Sequence, residues 1–191
     1  MKKGLVIVIA IVAIIAIIGG VCISNYNSLA TLREDVYSAE ANIDTYLQRR
    51  ADLIPNIVAS VKSFAEHETE VYGKIADART RLINAGTVAE KAEANNELTA
   101  ALQGLNVIVE NYPELKSDAT YVALMDELEG SENRIATARK DYNDVVREYN
   151  GAIIKFPAKI FAGIFGFERA DYFEADDSAK DAPDVGELLG D

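Results

Sequence analysis

The run Leu5–Ile23, 19 residues without a charge behind Lys2 and Lys3, constrains this chain more than any other segment. As an α-helix rising ~1.5 Å per residue it is about 28 Å long, close to the ~30 Å hydrocarbon core of a bilayer. A cleaved signal peptide is the first alternative, but its apolar core is typically ~7–15 residues and ends in an A-x-A-like site. Here the run is longer, and the sequence GGVCISN at its end offers no such site. A lipid-modified Cys22 is the second alternative, but GGVC lacks the large aliphatic residue that such a signal prefers three positions earlier. The reading is an uncleaved transmembrane anchor over residues 1–24. Lys2 and Lys3 precede the span, whereas SNYNSLATLRED after it carries one arginine and two acids. The positive-inside rule therefore places the N-terminus in the cytoplasm and the rest of the chain on the exported side.

Charge removes one class of function. The whole chain carries −12, and residues 24–191 lack the two lysines, so they carry −14. Averaged over its surface, such a domain is repelled by nucleic acid, and nucleic-acid binding is excluded as an expectation. The single cysteine, Cys22, has no intramolecular partner for a disulfide.

Beyond the anchor, apolar residues recur at alternating spacings of three and four. Leu29, Leu32, Val36, Ala39, Ile43 and Tyr46 form one stripe. Ile54, Ile57, Val61 and Phe64 form a second, which continues through Val71, Ile75, Ala78 and Leu82. Leu98, Leu102, Leu105, Val109 and Tyr112 form a third, and a fourth runs from Tyr121 through Leu128, Ile135, Tyr142, Val145 and Tyr149 to Ile153. This is helical, heptad-like periodicity, and no alternating-strand pattern accompanies it. The expected breaks are RRADLIP, NAGTVAE and NYPELKSD. Asp52 is read as a cap with Pro55 in the next first turn, Thr87 as an N-cap with Glu90 three residues on, and Pro113 as a stop. Ser117 or Asp118 is read as the cap of the fourth helix. Short connections make sequential helices antiparallel neighbours. The expected fold is all-α: an N-terminal transmembrane helix, then an antiparallel up-down four-helix bundle over residues 25–156.

In that topology the fourth helix returns towards the membrane. The segment that arrives, residues 157–173, holds Phe161, Ile164, Phe165 and Phe167 among Lys159 and Arg169. These four are candidate membrane-interface contacts, as in a short interfacial helix. The alternative is that the segment folds back and caps the open end of the bundle. Residues 174–191 read as a disordered acidic tail.

Catalytic chemistry finds little support. The chain's one histidine, His67, has Ser60 and Ser63 nearby, but a nucleophile and base on one exposed helix lack a shaped site. HETEV fails as a zinc helix because Val71 stands where the second histidine belongs. No metal or cofactor is expected. Charges on the apolar stripes carry more information. Arg50 continues the first stripe, Glu68 the second, and Glu132 lies between Leu128 and Ile135. A buried charge requires an opposite charge or hydrogen bonds close by, so these three are candidates for a core polar layer. Such a layer either sets helix register, as in coiled coils, or serves as an ion-responsive switch or recognition surface.

At the level of motifs the chain resembles the LemA family. The blocks are YNSLATLREDV, QRRADLIPNIVASVKSFAEHE, ADAR, YPELK, ELEGSENRIATARKDYNDVVREYN and KFPAKIFAGIFGF, with YF after the last. They cover about Tyr26 to Phe173 in the family's order. Two departures stand out. GSEN occupies a place where the family commonly has a threonine before the glutamate, and PDVGELLGD lacks the usual apolar-aromatic ending. The resemblance implies a long antiparallel four-helix bundle behind one span in the bacterial cytoplasmic membrane, with no defined enzymatic activity or cofactor. It also implies a connection with membrane organisation, or with membrane proteases and envelope stress. The expected function is a non-enzymatic scaffold or adaptor at the membrane surface that contacts the lipid bilayer and self-associates or binds other membrane proteins. The alternative is a ligand- or ion-responsive accessory subunit of a membrane protease.

Overall fold

The computed structural model describes residues 2–174, with side chains from Gly4 onward; the acidic stretch 175–191 lies outside the described residues. Among them the chain is all-α. Its elements are α1 (Lys2–Lys62), α2 (Thr69–Asn84), α3 (Val88–Asn111), α4 (Pro113–Lys116), α5 (Ala119–Ile154) and α6 (Ala158–Phe165). The apolar side chains from Leu5 to Ile18, with Val21 and Ile23, are exposed. In length and composition this part of α1 is able to cross a membrane.

The chain divides into two compact units. The first joins residues 2–40 of the described chain to 141–171. Its core takes Leu29 and Val36 from α1, Tyr142, Val146, Tyr149 and Ile153 from α5, and Ala162 and Phe167 from the segment after α5. Val146, not Val145, is the buried member of the pair, so the stripe steps by four and then three after Tyr142.

The second unit joins residues 41–140 to 172–174 of the described chain. Ile43, Leu47, Ala51, Ile54, Ile57 and Val61 of α1 face Tyr72, Ile75, Ala78 and Leu82 of α2 and Leu98, Leu102 and Leu105 of α3 across its core. Each fully buried Ile, Leu or Val contributes roughly 1.5–3 kcal/mol relative to exposure. Helix directions follow from paired contacts. The Tyr72 hydroxyl donates to the Ala65 carbonyl at 2.7 Å and Arg79 meets Ala51, so α2 runs against α1. Lys91 pairs with Asp44 at 2.7 Å and Thr99 with Arg50 at 2.9 Å, so α3 runs along α1. Gly104 allows α2 and α3 to approach closely, since a Cβ there would stand 3.1 Å from Val71 Cγ1.

The expected break at RRADLIP is absent. α1 continues through Pro55, and the Asp52 carboxylate accepts from Gln48 Nε2 at 2.8 Å inside the helix instead of capping a new one. Proline has no N–H for the carbonyl four residues back, which here is Ala51. That carbonyl accepts from Arg79 Nε of α2 at 2.7 Å. A neighbouring helix supplies the missing donor, which removes part of the reason to break. The chain turns instead at residues 63–68, where the amides of Phe64 and Ala65 both bond the Val61 carbonyl at 3.0 Å.

The other junctions follow their local chemistry. Thr87 Oγ1 accepts from the Glu90 amide at 3.2 Å, and Glu90 Oε2 accepts from the amides of Thr87 (2.9 Å) and Gly86 (2.8 Å), a complete capping box. Those backbone donors also lower the Glu90 pKa. Pro113 stands at the first position of α4, and Asp118 Oδ1 caps α5 by accepting from the Tyr121 amide at 2.8 Å.

Candidate functional site

Two places concentrate the residues singled out by the sequence, one in each unit. The first begins where the apolar part of α1 ends. Tyr26 lies three residues beyond Ile23, and its ring meets Phe165 edge-on at 5.0 Å and Phe167 at 5.7 Å between centroids. Phe167 reaches this position because Gly166 ends α6 with φ +69°, in the left-handed region that glycine enters without steric cost. The Phe167 amide bonds the Ala162 carbonyl at 3.0 Å as the chain reverses. The Arg33 guanidinium sits 4.8 Å above the Phe167 ring, a cation–π contact. Phe167 is therefore a buried anchor against α1. Phe161 is half-buried, whereas Ile164 is 68% and Phe165 42% exposed.

After Phe167 the chain runs without regular structure along α5, held by side chains of that helix. In the first unit, the Tyr149 hydroxyl donates to the Glu168 carbonyl at 2.7 Å and the Tyr142 hydroxyl to the Asp171 carbonyl at 2.9 Å. Asn150 bonds Ala170 twice, donating to its carbonyl at 2.8 Å and accepting from its amide at 2.9 Å. Burial, reinforced by the carboxylates of Glu40 and Asp171, pushes the Tyr142 phenol up to about 12 and keeps it a donor. In the second unit, Arg139 donates to the Glu174 carbonyl at 2.9 Å and places its guanidinium 4.3 Å over the buried Phe173 ring. This system is not among the sites expected from the sequence. Its signal was available: Tyr142, Tyr149 and Asn150 carry polar tips on a core-facing stripe, and buried tips of that kind require partners.

The second place is a polar layer centred on Arg50, which is 3% exposed. The guanidinium donates to Asn95 Oδ1, to the Asn95 carbonyl at 3.4 Å and to Thr99 Oγ1 at 2.9 Å, all on α3. It also forms an ion pair of 2.7 Å with Glu132 Oε2 of α5. Glu132 Oε2 is buried and takes no hydrogen bond, so this pair is a contact of charges without hydrogen-bond alignment; Arg50 Nε is likewise buried without a partner. Burial lowers the Arg50 pKa and the Glu132 carboxylate opposes that shift. Arg50 and Glu132 thus meet, while Glu68 does not join them. It is exposed at the start of α2, because the turn at 63–68 takes it off the stripe. Asn95 was legible as the position three before Leu98, where the α3 stripe continues backwards. Around the layer, Arg49 pairs with Glu127, and Arg134 stands 3.7 Å from the same carboxylate. His67 is exposed in the turn.

Comparison with known proteins gives the chain its relatives. A LemA family profile matches residues 39–186. The chain is 31% identical over 202 residues to magnetosome protein MamQ 2 of Paramagnetospirillum magneticum, covering 92% of this chain and 74% of that protein. It is 29% identical over 205 residues to magnetosome protein MamQ of Magnetospirillum gryphiswaldense, covering 94% and 75% respectively. Protein LemA of Metamycoplasma hominis is 22% identical over 169 residues, covering 88% and 77%. The N-terminal part of α1, apolar and exposed, is long and apolar enough to cross a membrane. The extent of the profile match decides the family: the chain belongs to the LemA family.

Proposed function

We propose that the chain is a non-enzymatic, single-pass protein of the bacterial cytoplasmic membrane, with its N-terminus in the cytoplasm and its helical units exported. It acts as a scaffold or adaptor through self-association or binding of other membrane proteins. The observation that carries this reading is the continuity of α1. One helix passes from the exposed apolar run Leu5–Ile23 to the buried core positions Leu29 and Val36. The folded part is therefore carried directly on the anchor. Lys2 and Lys3 before the span support the orientation. The unit of residues 41–140 is read as the four-helix bundle anticipated from the stripes. α1, α2 and α3 alternate in direction, and α5 supplies Glu127 and Glu132. Kinship with magnetosome proteins favours a part in membrane organisation.

The test is photo-crosslinking in intact membranes from exposed positions such as Tyr37, Val107 and Val122, followed by mass spectrometry. Reproducible links to a second copy or to other membrane proteins are expected. Links confined to single chains from every position would overturn the scaffold reading. A saturable small ligand that shifts unfolding would favour the alternative of a sensing accessory subunit.

A further inference from the structure

Outside the anchor, exposed large apolar side chains concentrate between residues 154 and 165: Ile154 (58%), Phe156 (84%), Ile160 (54%), Ile164 (68%) and Phe165 (42%). α6 itself reads AKIFAGIF, with Lys159 its one polar side chain. Ala162 is buried, and Ala158 and Phe161, on the same face, are half-buried against the first unit. Ile160 and Ile164, one turn apart, occupy a different face and contact water. A helix at a protein surface normally turns charged residues outward, and one that is apolar all round is buried on every side. The outer face of α6 therefore needs an apolar neighbour, and the described residues do not provide one.

The contact with Tyr26 identifies that neighbour. Tyr26 stands about 4.5 Å along the helix axis beyond Ile23, within the headgroup layer that extends roughly 5–7 Å outside the hydrocarbon core. Tyrosine is enriched at that depth. Phe165 and Phe167 both touch its ring, so the end of α6 is tied to the level where the span leaves the hydrocarbon. Lys155 and Lys159 are exposed on either side of Phe156, and Arg169 follows the turn at Gly166. In a helix at a membrane interface, such side chains lay their stems along acyl chains and keep their charged ends among the headgroups.

We propose that α6 is a second membrane contact. It lies in the boundary between headgroups and acyl chains of the leaflet through which α1 exits, with Phe156, Ile160, Ile164 and Phe165 in lipid. This rests on the reading of Leu5–Ile23 as a membrane span. Phe167, packed on Tyr26 and Arg33, is the internal anchor that holds the helix there and does not contact lipid.

The test uses the full-length chain with Cys22→Ser and single nitroxide-labelled cysteines at Ile14, Ile160, Ile164 and Tyr37. It is reconstituted in vesicles of phosphatidylcholine and phosphatidylglycerol. Collision rates with oxygen, which partitions into lipid, are compared with those of a water-soluble nickel chelate. The oxygen-to-nickel ratio at Ile160 and Ile164 is expected to approach that at Ile14 and to exceed that at Tyr37 several-fold. A ratio at Ile164 equal to that at Tyr37, with Ile14 still in lipid, overturns this inference and leaves the anchor intact. Ile14 in water overturns both. Shielding of Ile164 from both reagents, with spin–spin broadening that disappears on dilution with unlabelled chain, would show a second copy on this face instead of lipid. All four labelled sites are exposed, and the helical circular dichroism of each variant verifies the fold.

Discussion

Arg79 Nε donates at 2.7 Å to the Ala51 carbonyl, the one acceptor in α1 that Pro55 deprives of its helical partner. The bond explains how a proline sits within a 61-residue helix without ending it. Arg79→Met is expected to destabilise the protein by about 1–3 kcal/mol, the range for a stranded acceptor. Pro55→Ala returns an N–H to Ala51, and in that background the same arginine substitution should lose most of its effect. Unfolding of the four chains in detergent gives the coupling directly. Additive effects would show that Arg79 does not compensate for the proline.

This pair also marks where sequence reading ends. The stripes, the Thr87–Glu90 box and the Asp118 cap are local, so three or four neighbouring residues disclose them. Whether Pro55 starts a helix or sits inside one depends on a donor 24 residues further along the chain, and no local rule contains it. A helix starting at Pro55 and running on through the turn would carry Glu68 on its stripe, whereas α1 ends at Lys62. Arg50 and Glu132 were legible because each interrupts an apolar period. Their partners Asn95 and Thr99 carry a weaker signal, because a short polar residue near a stripe is common on any helix.

Removal of one member of the Arg50 layer should be costly. Arg50→Ala strands the buried Glu132 Oε2 and the Asn95 side chain. Breaking a fully buried pair costs ~3–5 kcal/mol. The Glu132 side chain is 41% exposed, so about 2–3 kcal/mol is expected here after solvent screening. Replacing Arg50 by Met together with Glu132 by Leu should recover much of the loss. Chemical denaturation of the single and double variants checks this order, and a double variant as weak as Arg50→Ala would contradict it.

Asn150 secures the segment after α6 with two bonds to one residue, Ala170. Asn150→Ala leaves both backbone groups of Ala170 unpaired and should destabilise by about 1–3 kcal/mol. Hydrogen exchange should accelerate at Ala170 more than at α5 amides. Uniform acceleration along both would show that the segment has no local stability of its own.

Tyr142 gives the fold an alkaline limit. Its folded pKa of about 12 lies above the ordinary 10, so the neutral phenol is the favoured form. Its stabilising effect is complete below pH ~10 and is lost as pH rises towards 12. Tyr142→Phe should be less stable than the parent near neutrality by about 1 kcal/mol, the value of one hydrogen bond. The gap should narrow through that alkaline window. Thermal unfolding across the window measures it, and a constant gap would refute the assignment.

α1 carries no loop between Ile23 and Leu29. The angular direction in which Leu29 and Val36 present their side chains is consequently locked to the direction of every side chain in the span. One residue inserted at Ser24 would swing the following helix by ~100° about its axis, and seven would bring it nearly back into phase. Rotation of the Leu5–Ile23 segment about its axis is thus transmitted as torque to Leu29 and Val36, with no slack joint to absorb it.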